Sequence, residues 1–143
     1  MKINDVLRGK RSGTQVVTIS PEATVSELLT LLAEHNIGAV VVSPDGSSVA
    51  GIVSERDIVR LLKDTPDARD VPVSAIMTTT VHTCGLDDHI DSLMRLMTEQ
   101  RIRHVPVVTD GALTGIVSIG DVVKTRIGEL EFEREQLSNY ITG

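Results

Sequence analysis

The chain has 143 residues, of which 41% are apolar and 1% aromatic, and its formal net charge is −6. These values predict one domain of ordinary size, or two units too small to be stable alone, with an aliphatic core. An acidic chain without aromatic stacking platforms is a poor partner for single-stranded nucleic acid, so we expect no nucleic-acid partner. Its apolar runs are too short to cross a bilayer, and we expect no membrane partner.

The cysteine and histidine content favours a cytoplasmic protein without catalytic chemistry. Cys84 is the only cysteine, so no intrachain disulfide can form, and no secretory signal pattern is visible at the N-terminus. The four histidines show no metal-ligand spacing. No arrangement of nucleophile and base stands out, so we expect neither a metal site nor an enzyme.

An internal duplication organises the chain. Residues 51–59 (GIVSERDIV) and 115–123 (GIVSIGDVV) follow one pattern, with an offset of 64 residues. Upstream, residues 37–42 (IGAVVV) match residues 102–107 (IRHVPV) with an offset of 65. We therefore expect one repeat over residues 1–65, a second over 66–127, and a C-terminal helical extension over 128–143.

The first repeat is predicted to fold as β-α-β-β-α. A strand over residues 16–19 precedes an amphipathic helix, at whose start Thr24 and Glu27 form a capping-box pattern. Two apolar strands follow, joined by a turn that contains Asp45-Gly46. The sequence Gly-Ile-Val ends the last strand, and Ser54 opens the second helix.

The second repeat is predicted to contain the same elements in the same order. Its first strand is expected over residues 81–84, and its hairpin turn contains Asp110-Gly111. His89 stands where the first repeat has a capping threonine, so we expect Asp87 or Asp88 to cap this helix. The fold class is thus α/β (α+β), with tandem repeats packed about a pseudo-twofold axis. Two such units, each too small alone, would leave two related clefts between them, where a ligand is expected.

The repeated phrase has two interpretations that the residues leave open. Ser54 with Asp57, and Ser118 with Asp121, match the pattern of a capped helix start, which alone is more often a cap than a site. A helix N-terminus also suits a phosphate, and a nearby carboxylate can accept hydrogen bonds from ribose hydroxyls. A cap and a binding site are therefore compatible.

The duplicated β-α-β-β-α unit, the segment I-R-H-V-P-V-V and the two G-h-h-S-x-x-D phrases (h is apolar) together resemble a cystathionine-β-synthase (CBS) domain pair, or Bateman module. The phrases S-E-R-D-I-V-R and S-I-G-D-V-V-K resemble those of stand-alone CBS-pair proteins. The resemblance implies a non-catalytic regulatory module that binds AMP, ADP, ATP, NAD(H) or S-adenosylmethionine in its two clefts. The alternative is a scaffold or interaction module that binds no nucleotide.

The resemblance also implies roles for individual residues in a first cleft beside Asp57 and a second cleft beside Asp121. The two aspartates would hold ribose hydroxyls, and Ser54 and Ser118 would lie near ribose or phosphate. The adenine would contact the first two strands of the other repeat. In the first cleft these residues are Thr83, Cys84, Arg103, His104, Val105 and Pro106. In the second cleft they are Thr18, Ile19, Gly38, Ala39, Val40 and Val41.

The two repeats differ where charge would matter for a ligand. The second repeat has the pair Arg103-His104 where the first has Gly38-Ala39, and Arg56 of the first phrase is matched by Gly120 in the second. If the sites are shared as the family implies, Arg103-His104 would face phosphate in the first cleft. Arg56 would then serve the second cleft. We therefore expect the two clefts to bind with unequal affinities.

The C-terminal stretch is long for a closing helix. Its apolar residues recur at spacings of three, four and seven, with Arg134 filling the gap; they are Val123, Ile127, Leu130, Leu137 and Ile141. Such a helix either folds back on its own domain or forms a seam with another subunit. We favour the seam, and expect a homodimer whose nucleotide occupancy changes the binding of a regulated protein partner.

Overall fold

The computed structural model describes residues 1–10 and 16–142, with side chains as far as Ile141. In chain order the elements are α1 (Ile3–Arg8), β1 (Thr18–Ile19), α2 (Val25–His35), β2 (Ala39–Val42), β3 (Gly51–Ser54), α3 (Glu55–Asp64), α4 (Ile90–Gln100), β4 (His104–Thr109), β5 (Ala112–Ser118) and α5 (Ile119–Thr142). Two 3-10 turns, Ala68–Asp70 and Val73–Ala75, connect α3 to α4. This α+β architecture confirms the predicted fold class.

The two repeats each place a hairpin in the same register. Strand β2 lies between β1, which is parallel to it, and β3, which is antiparallel, while β4 and β5 form an antiparallel pair. Ala39 pairs with Ser54, and His104 pairs with Ser118 at the equivalent position of the second hairpin. The hairpin turns have Gly46 and Gly111 in the left-handed region, at φ values of 79° and 80°. Glycine adopts this conformation without steric cost.

The strand predicted over residues 81–84 is wrong, because only one of its residues pairs. Cys84 forms a single parallel bridge with Val107. Directly after it, the Gly85 N–H donates to Asp88 Oδ2 at 2.7 Å, and this turn ends the extended segment. In the first repeat the equivalent segment forms two parallel pairs as β1.

The two long amphipathic helices begin differently. Thr24 Oγ1 accepts a hydrogen bond from the Glu27 N–H at 3.2 Å, which confirms the predicted cap of α2. Helix α4 begins after His89 and has no side-chain capping bond. The prediction that Asp87 or Asp88 caps α4 is therefore wrong, and Asp88 instead closes the turn that precedes it.

The hydrophobic core of each repeat includes residues from the other repeat. Ile3 and Val6 of α1 are buried with residues of the second repeat, such as Val117. Conversely, Val73 is buried in the core of the first repeat, and its N–H donates to the Ala23 carbonyl at 2.8 Å. The boundary between residues 65 and 66 stays a prediction from sequence, since the packing crosses it. Lys10, which follows α1, and Val16 and Val17, which precede β1, lie at the interface of the repeats.

The glycine that opens each repeated phrase lies where another segment crosses closely. A Cβ atom on Gly51 would be 2.8 Å from the Thr78 carbonyl oxygen and 2.8 Å from Met77 Sδ. A Cβ atom on Gly115 would be 2.9 Å from the Leu7 side chain. The phrase therefore has a packing reason for glycine at both positions, and Gly115 also lines the second cleft.

Helix α5 extends far beyond its contacts with the second repeat. Val122 is fully buried near its start, and Arg126 lies 3.0 Å from Glu129 and 3.8 Å from Asp91. Every described side chain from Leu130 onward is exposed, so this part of the helix does not fold back on its own domain. Among residues 1–10 and 16–142, no helix combines the length and apolar character that crossing a bilayer requires.

Candidate functional site

Two cavities lie between the repeats. The first cleft has a volume of about 760 Å³ and contains Asp57, and the second has a volume of about 670 Å³ and contains Asp121. Both volumes are in the range of small-molecule sites. Gly38, Ala39 and His104 line both clefts, so the hairpins of the two repeats form the wall between them.

The first cleft is built around the N-terminus of α3. The Ser54 N–H donates to Asp57 Oδ2 at 2.8 Å, and the Ser54 hydroxyl lies 3.2 Å from the same oxygen. These bonds fix the carboxylate at the first turn of the helix, where the Glu55 N–H donates to the Gly38 carbonyl oxygen at 3.0 Å. The opposite wall comes from residues 78–82 and from residues 101–104 of the second repeat.

The second cleft repeats this arrangement at the start of α5. The Ser118 N–H donates to Asp121 Oδ2 at 2.9 Å, and the Asp121 N–H donates to Ser118 Oγ at 3.1 Å. This reciprocal pair is a capping box. The remaining wall comes from α1, through Asn4 and Arg8, and from Val16 and Val17.

The cleft aspartates each keep one carboxylate oxygen available. Oδ2 of Asp57 and Oδ2 of Asp121 take the hydrogen bonds of the helix start. Within the described part of the chain, Oδ1 of both residues has no protein partner. Each phrase thus caps its helix with one oxygen and presents the other, so the geometry accommodates both sequence interpretations.

A lysine from the N-terminal segment occupies the second cleft. Lys10 Nζ lies 2.8 Å from Asp121 Oδ2 and also donates to the Ile116 carbonyl oxygen. Burial acts to raise the pKa of Asp121, but the hydrogen bonds from Lys10 and Ser118 and the lysine charge outweigh it, and the pKa lies below its ordinary value. Local sequence rules treat Lys10 as a solvated charge, and no pattern signals a contact with a residue so distant in the chain.

His104 lies at the wall that the clefts share and is half-buried. Burial lowers the pKa of this imidazole below its ordinary value, because the charged form loses hydration. The Lys10 and Arg103 charges lower the pKa further, whereas Asp121 opposes the shift. A neutral His104 can both donate to and accept from a ligand in either cleft.

Part of the predicted residue set lines the clefts. The structure places Ser54, Asp57, Arg103 and His104 in the first cleft, and Gly38, Ala39, Ser118 and Asp121 in the second. The other predicted strand residues line neither cleft; they are Thr83, Cys84, Val105 and Pro106 for the first, and Thr18, Ile19, Val40 and Val41 for the second.

Strand geometry explains this difference. Val40, Val41 and Val105 are fully buried and pack in the interior of the fold, away from the clefts. The lining positions lie about two residues upstream on each chain segment, at Val16 and Val17 in one cleft and Val81 and His82 in the other. The cleft-lining residues therefore lie on the same segments as the predicted residues, but upstream of them.

The prediction that Arg56 serves the second cleft is wrong. Arg56 is adjacent to Asp57 in the first turn of α3, and it lines the first cleft. Gly120, its counterpart in α5, is exposed and lines neither cleft. Among the described residues, the arginines are thus concentrated in the first cleft.

Sequence reasoning also missed Arg60 and Arg101, which line the first cleft. Arg101 ends α4 in the left-handed conformation, at a φ of 53°, and Asn36 ends α2 in the same way at a φ of 51°. Asparagine is common at such positions, whereas arginine is not. The presence of arginine at position 101, where the first repeat has Asn36, is the sequence feature that could have indicated a functional role.

Cys84 is buried in the core of the second repeat. Burial raises the pKa of its thiol to about 11, with a smaller contribution from the Asp88 charge. The thiol is therefore protonated near neutral pH and is not an activated nucleophile. Among the described residues there is no group of three or more histidine, cysteine, aspartate or glutamate side chains placed to hold a metal ion.

Two repeats that share the order helix, β-hairpin, helix, each with a serine–aspartate pair beside a cleft between them, define a tandem module with paired ligand sites. The family model of the CBS domain matches residues 12–64 and 73–128. The chain belongs to the CBS domain family, and it holds two copies of the domain. CBS-domain pairs are regulatory modules.

Known proteins resemble the chain along most of its length. A CBS-domain-containing protein of Agrobacterium tumefaciens, ATU1752, is 42% identical, with a TM-score of 0.82 over 88% of this chain and 99% of that one. The mitochondrial CBS-domain-containing protein CBSX3 of Arabidopsis thaliana is 34% identical over 99% of this chain and 72% of its own length. The CBS domain protein PAE2072 of Pyrobaculum aerophilum, solved in complex with AMP, is 30% identical, with a TM-score of 0.74 over 85% of this chain and 89% of that one.

Proposed function

We propose that this protein is a regulatory sensor that binds an adenosyl ligand in the clefts between its two CBS repeats. The candidate ligands are AMP, ADP, ATP, NAD(H) and S-adenosylmethionine. The observation that carries the proposal is the paired serine–aspartate geometry, in which Asp57 and Asp121 each present a carboxylate oxygen to a cleft. The AMP complex of the related Pyrobaculum protein supports an adenosyl ligand.

The proposed contacts follow from the chemistry of each group. The free Oδ1 of each aspartate accepts hydrogen bonds from ribose hydroxyls. Ser54 and Ser118 lie beside the helix amides, where ribose or phosphate oxygens bind. Ala39 and Gly38, whose side chains are small or absent, leave room at the shared wall for a planar base.

Ligand binding would bias the relative orientation of the repeats. Each cleft takes walls from both repeats, so a bound ligand contacts both at once. It favours one orientation by as much as its affinities for the two orientations differ. Asp121 lies in the first turn of α5, so a ligand in the second cleft contacts the start of the projecting helix. We propose that α5 transmits this change to a regulated protein partner.

We also propose that α5 pairs with α5 of a second copy in a homodimer. Its exposed apolar residues keep the spacing of a coiled-coil seam from Val123 to Ile141, and their exposed fractions run from 46% to 80%. Sedimentation equilibrium of the full chain tests this proposal. A mass of two chains at micromolar concentration is expected, and a single-chain mass over the whole range contradicts it.

A panel of ligands tests the sensor proposal directly. Binding to the native state raises the melting temperature by mass action. We expect at least one of AMP, ADP, ATP, NAD(H) and S-adenosylmethionine to raise it in a concentration-dependent way. A melting temperature that none of them changes at millimolar concentration would favour the alternative, a scaffold without a nucleotide. With only one cysteine in the chain, and that one buried, we keep the cytoplasm as the proposed location.

A further inference from the structure

We infer that the first cleft selects adenosine ligands with two or three phosphates over those with one or none. This inference rests on the proposed function, and it concerns the charge of the ligand rather than its base. Four arginines line the cleft, Arg56, Arg60, Arg101 and Arg103, whereas its acidic residues are Glu55 and Asp57. The ligand class is therefore a nucleoside di- or triphosphate.

The four guanidinium groups come from two sides of the cleft. Arg56 and Arg60 lie one turn apart on α3. Arg101 and Arg103 lie opposite, between the end of α4 and the start of β4 in the other repeat. In the described part of the chain, none of the four forms a salt bridge or a side-chain hydrogen bond with protein. An anion between these two sides would therefore meet cations that no protein group has neutralised.

The second cleft has a different charge balance. Among residues 1–10 and 16–142, its cations are Arg8 and Lys10, and the Lys10 ammonium is already paired with Asp121 at 2.8 Å. A phosphate chain entering this cleft would find fewer cations, one of them held by a carboxylate. The contrast between the clefts is thus in the number of unpaired cations, and not in the serine–aspartate pair, which both contain.

The number of guanidinium groups argues for more than one phosphate. Arginine presents a planar fork that binds phosphate oxygens with two parallel hydrogen bonds. A single phosphate at the N-terminus of α3 lies on the same side of the cleft as Arg56 and Arg60. A longer anion is needed to contact these two guanidinium groups and those of the opposite wall at the same time. The same charges disfavour S-adenosylmethionine, whose sulfonium and ammonium groups are cationic.

Titration calorimetry with adenosine, AMP, ADP and ATP tests the inference, at constant ionic strength and with EDTA present. We expect affinity for the first cleft to rise along this series, by about tenfold from AMP to ATP, which corresponds to one further charge-assisted contact. Arg101→Asn is the sharpest variant, because asparagine is the residue that the first repeat has at this position in the same backbone conformation. It should weaken ATP binding by about tenfold and AMP binding by less than about twofold.

Two further variants separate this effect from misfolding. Arg60→Gln lies on the opposite wall and should also weaken ATP more than AMP. Arg95→Gln, at an exposed position of α4 outside both clefts, should change neither affinity. Equal affinities for AMP and ATP, or equal losses for both in Arg101→Asn and Arg60→Gln, would overturn the inference while leaving the sensor proposal intact. Failure of all four compounds to bind would overturn the inference, and it would overturn the sensor proposal too only if NAD(H) and S-adenosylmethionine also failed to bind.

Discussion

Lys10 Nζ lies 2.8 Å from Asp121 Oδ2, although the two residues stand near opposite ends of the duplicated region. The contact exists because α1 packs on the second repeat, and the chain leaving α1 then passes the second cleft. Asp57 has no such partner among the described residues. The two aspartates that the duplication makes equivalent therefore differ in their electrostatic surroundings.

The Lys10–Asp121 pair should contribute measurably to stability. Both side chains are about a quarter exposed, so Lys10→Met should lower the free energy of unfolding by about 1 kcal/mol near neutral pH. The melting temperature would fall by roughly 3 °C. Lys124→Met, at an exposed position of α5, is the matched control and should change the melting temperature little.

The pH dependence of this effect has a definite sign. The pKa of Asp121 is lowered in the folded state, so its contribution is present above the ordinary carboxyl pKa and is lost as the pH falls through the lowered value. Urea unfolding of the wild type and Lys10→Met at several pH values checks this. The difference between them should shrink in acid, and a difference that stays constant would contradict the assigned role.

His104 should make the fold less stable in mild acid. Its pKa is lowered in the folded state, so the unfolded chain binds the proton more readily, and stability falls as the pH drops below about 6.5. The charged neighbours of the imidazole are Asp121, Lys10, Arg103 and Glu55. His104→Ala introduces the residue that the first repeat has at this position, Ala39.

Melting temperatures between about pH 7.5 and about pH 5.5 check this prediction. The loss on acidification should be smaller in His104→Ala than in the wild type, whereas His35→Ala, at an exposed helix end, should leave the loss unchanged. A wild-type profile that is no steeper than that of His104→Ala would contradict it.

The two phrase glycines should tolerate a methyl group differently. At Gly51 the added Cβ would meet backbone, the Thr78 carbonyl oxygen at 2.8 Å, as well as Met77 Sδ. At Gly115 the nearest atoms would be those of the Leu7 side chain, whose end can move. We expect Gly51→Ala to lower the free energy of unfolding by about 2 to 3 kcal/mol and Gly115→Ala by about 1 kcal/mol or less. Urea denaturation of both variants measures this, and the reverse order would show that the contacts are assigned wrongly.

The proposed seam on α5 makes a positional prediction. Leu137 lies in the row of apolar residues, whereas Phe132 is equally exposed on another face of the same helix, with exposed fractions of 64% and 62%. A glutamate at the seam would place a charge against its partner, so Leu137→Glu should shift the dimer toward monomer by at least about tenfold in dissociation constant. Phe132→Glu should leave it unchanged. Sedimentation velocity distinguishes the two, and equal effects would mean that the seam lies elsewhere.

The repeated pattern was enough to predict the architecture. Helix α2, both hairpins and the glycine turns at Gly46 and Gly111 follow from local periodicity and turn chemistry. Residues 81–83 look like a strand by the same rules, but only Cys84 pairs, with Val107, and the neighbouring Pro106 has no N–H to extend the ladder upstream. A local sequence pattern predicts an extended segment, but it does not predict which residues of another strand the segment pairs with.

The sites were predictable only in part, for a similar reason. Ser54 and Asp57 belong to one phrase, and the duplication shows where they lie. The distribution of cations depends on which segments cross between the repeats: Arg56 lies in the first cleft although it was predicted for the second, and Lys10, for which no cleft was predicted, lies in the second. Long-range packing of α1 sets the position of Lys10, and no spacing along the chain encodes it.

Calorimetric titration of ATP into the wild type, Asp57→Asn and Asp121→Asn tests the central claim most directly. Asparagine keeps an oxygen for the helix cap but removes the charge that favours ribose hydroxyls. We predict two binding events of unequal affinity in the wild type, loss of the tighter one in Asp57→Asn, and loss of the weaker one in Asp121→Asn. Equal losses in the two variants, or no binding to the wild type, would contradict the account of two unequal adenosyl clefts.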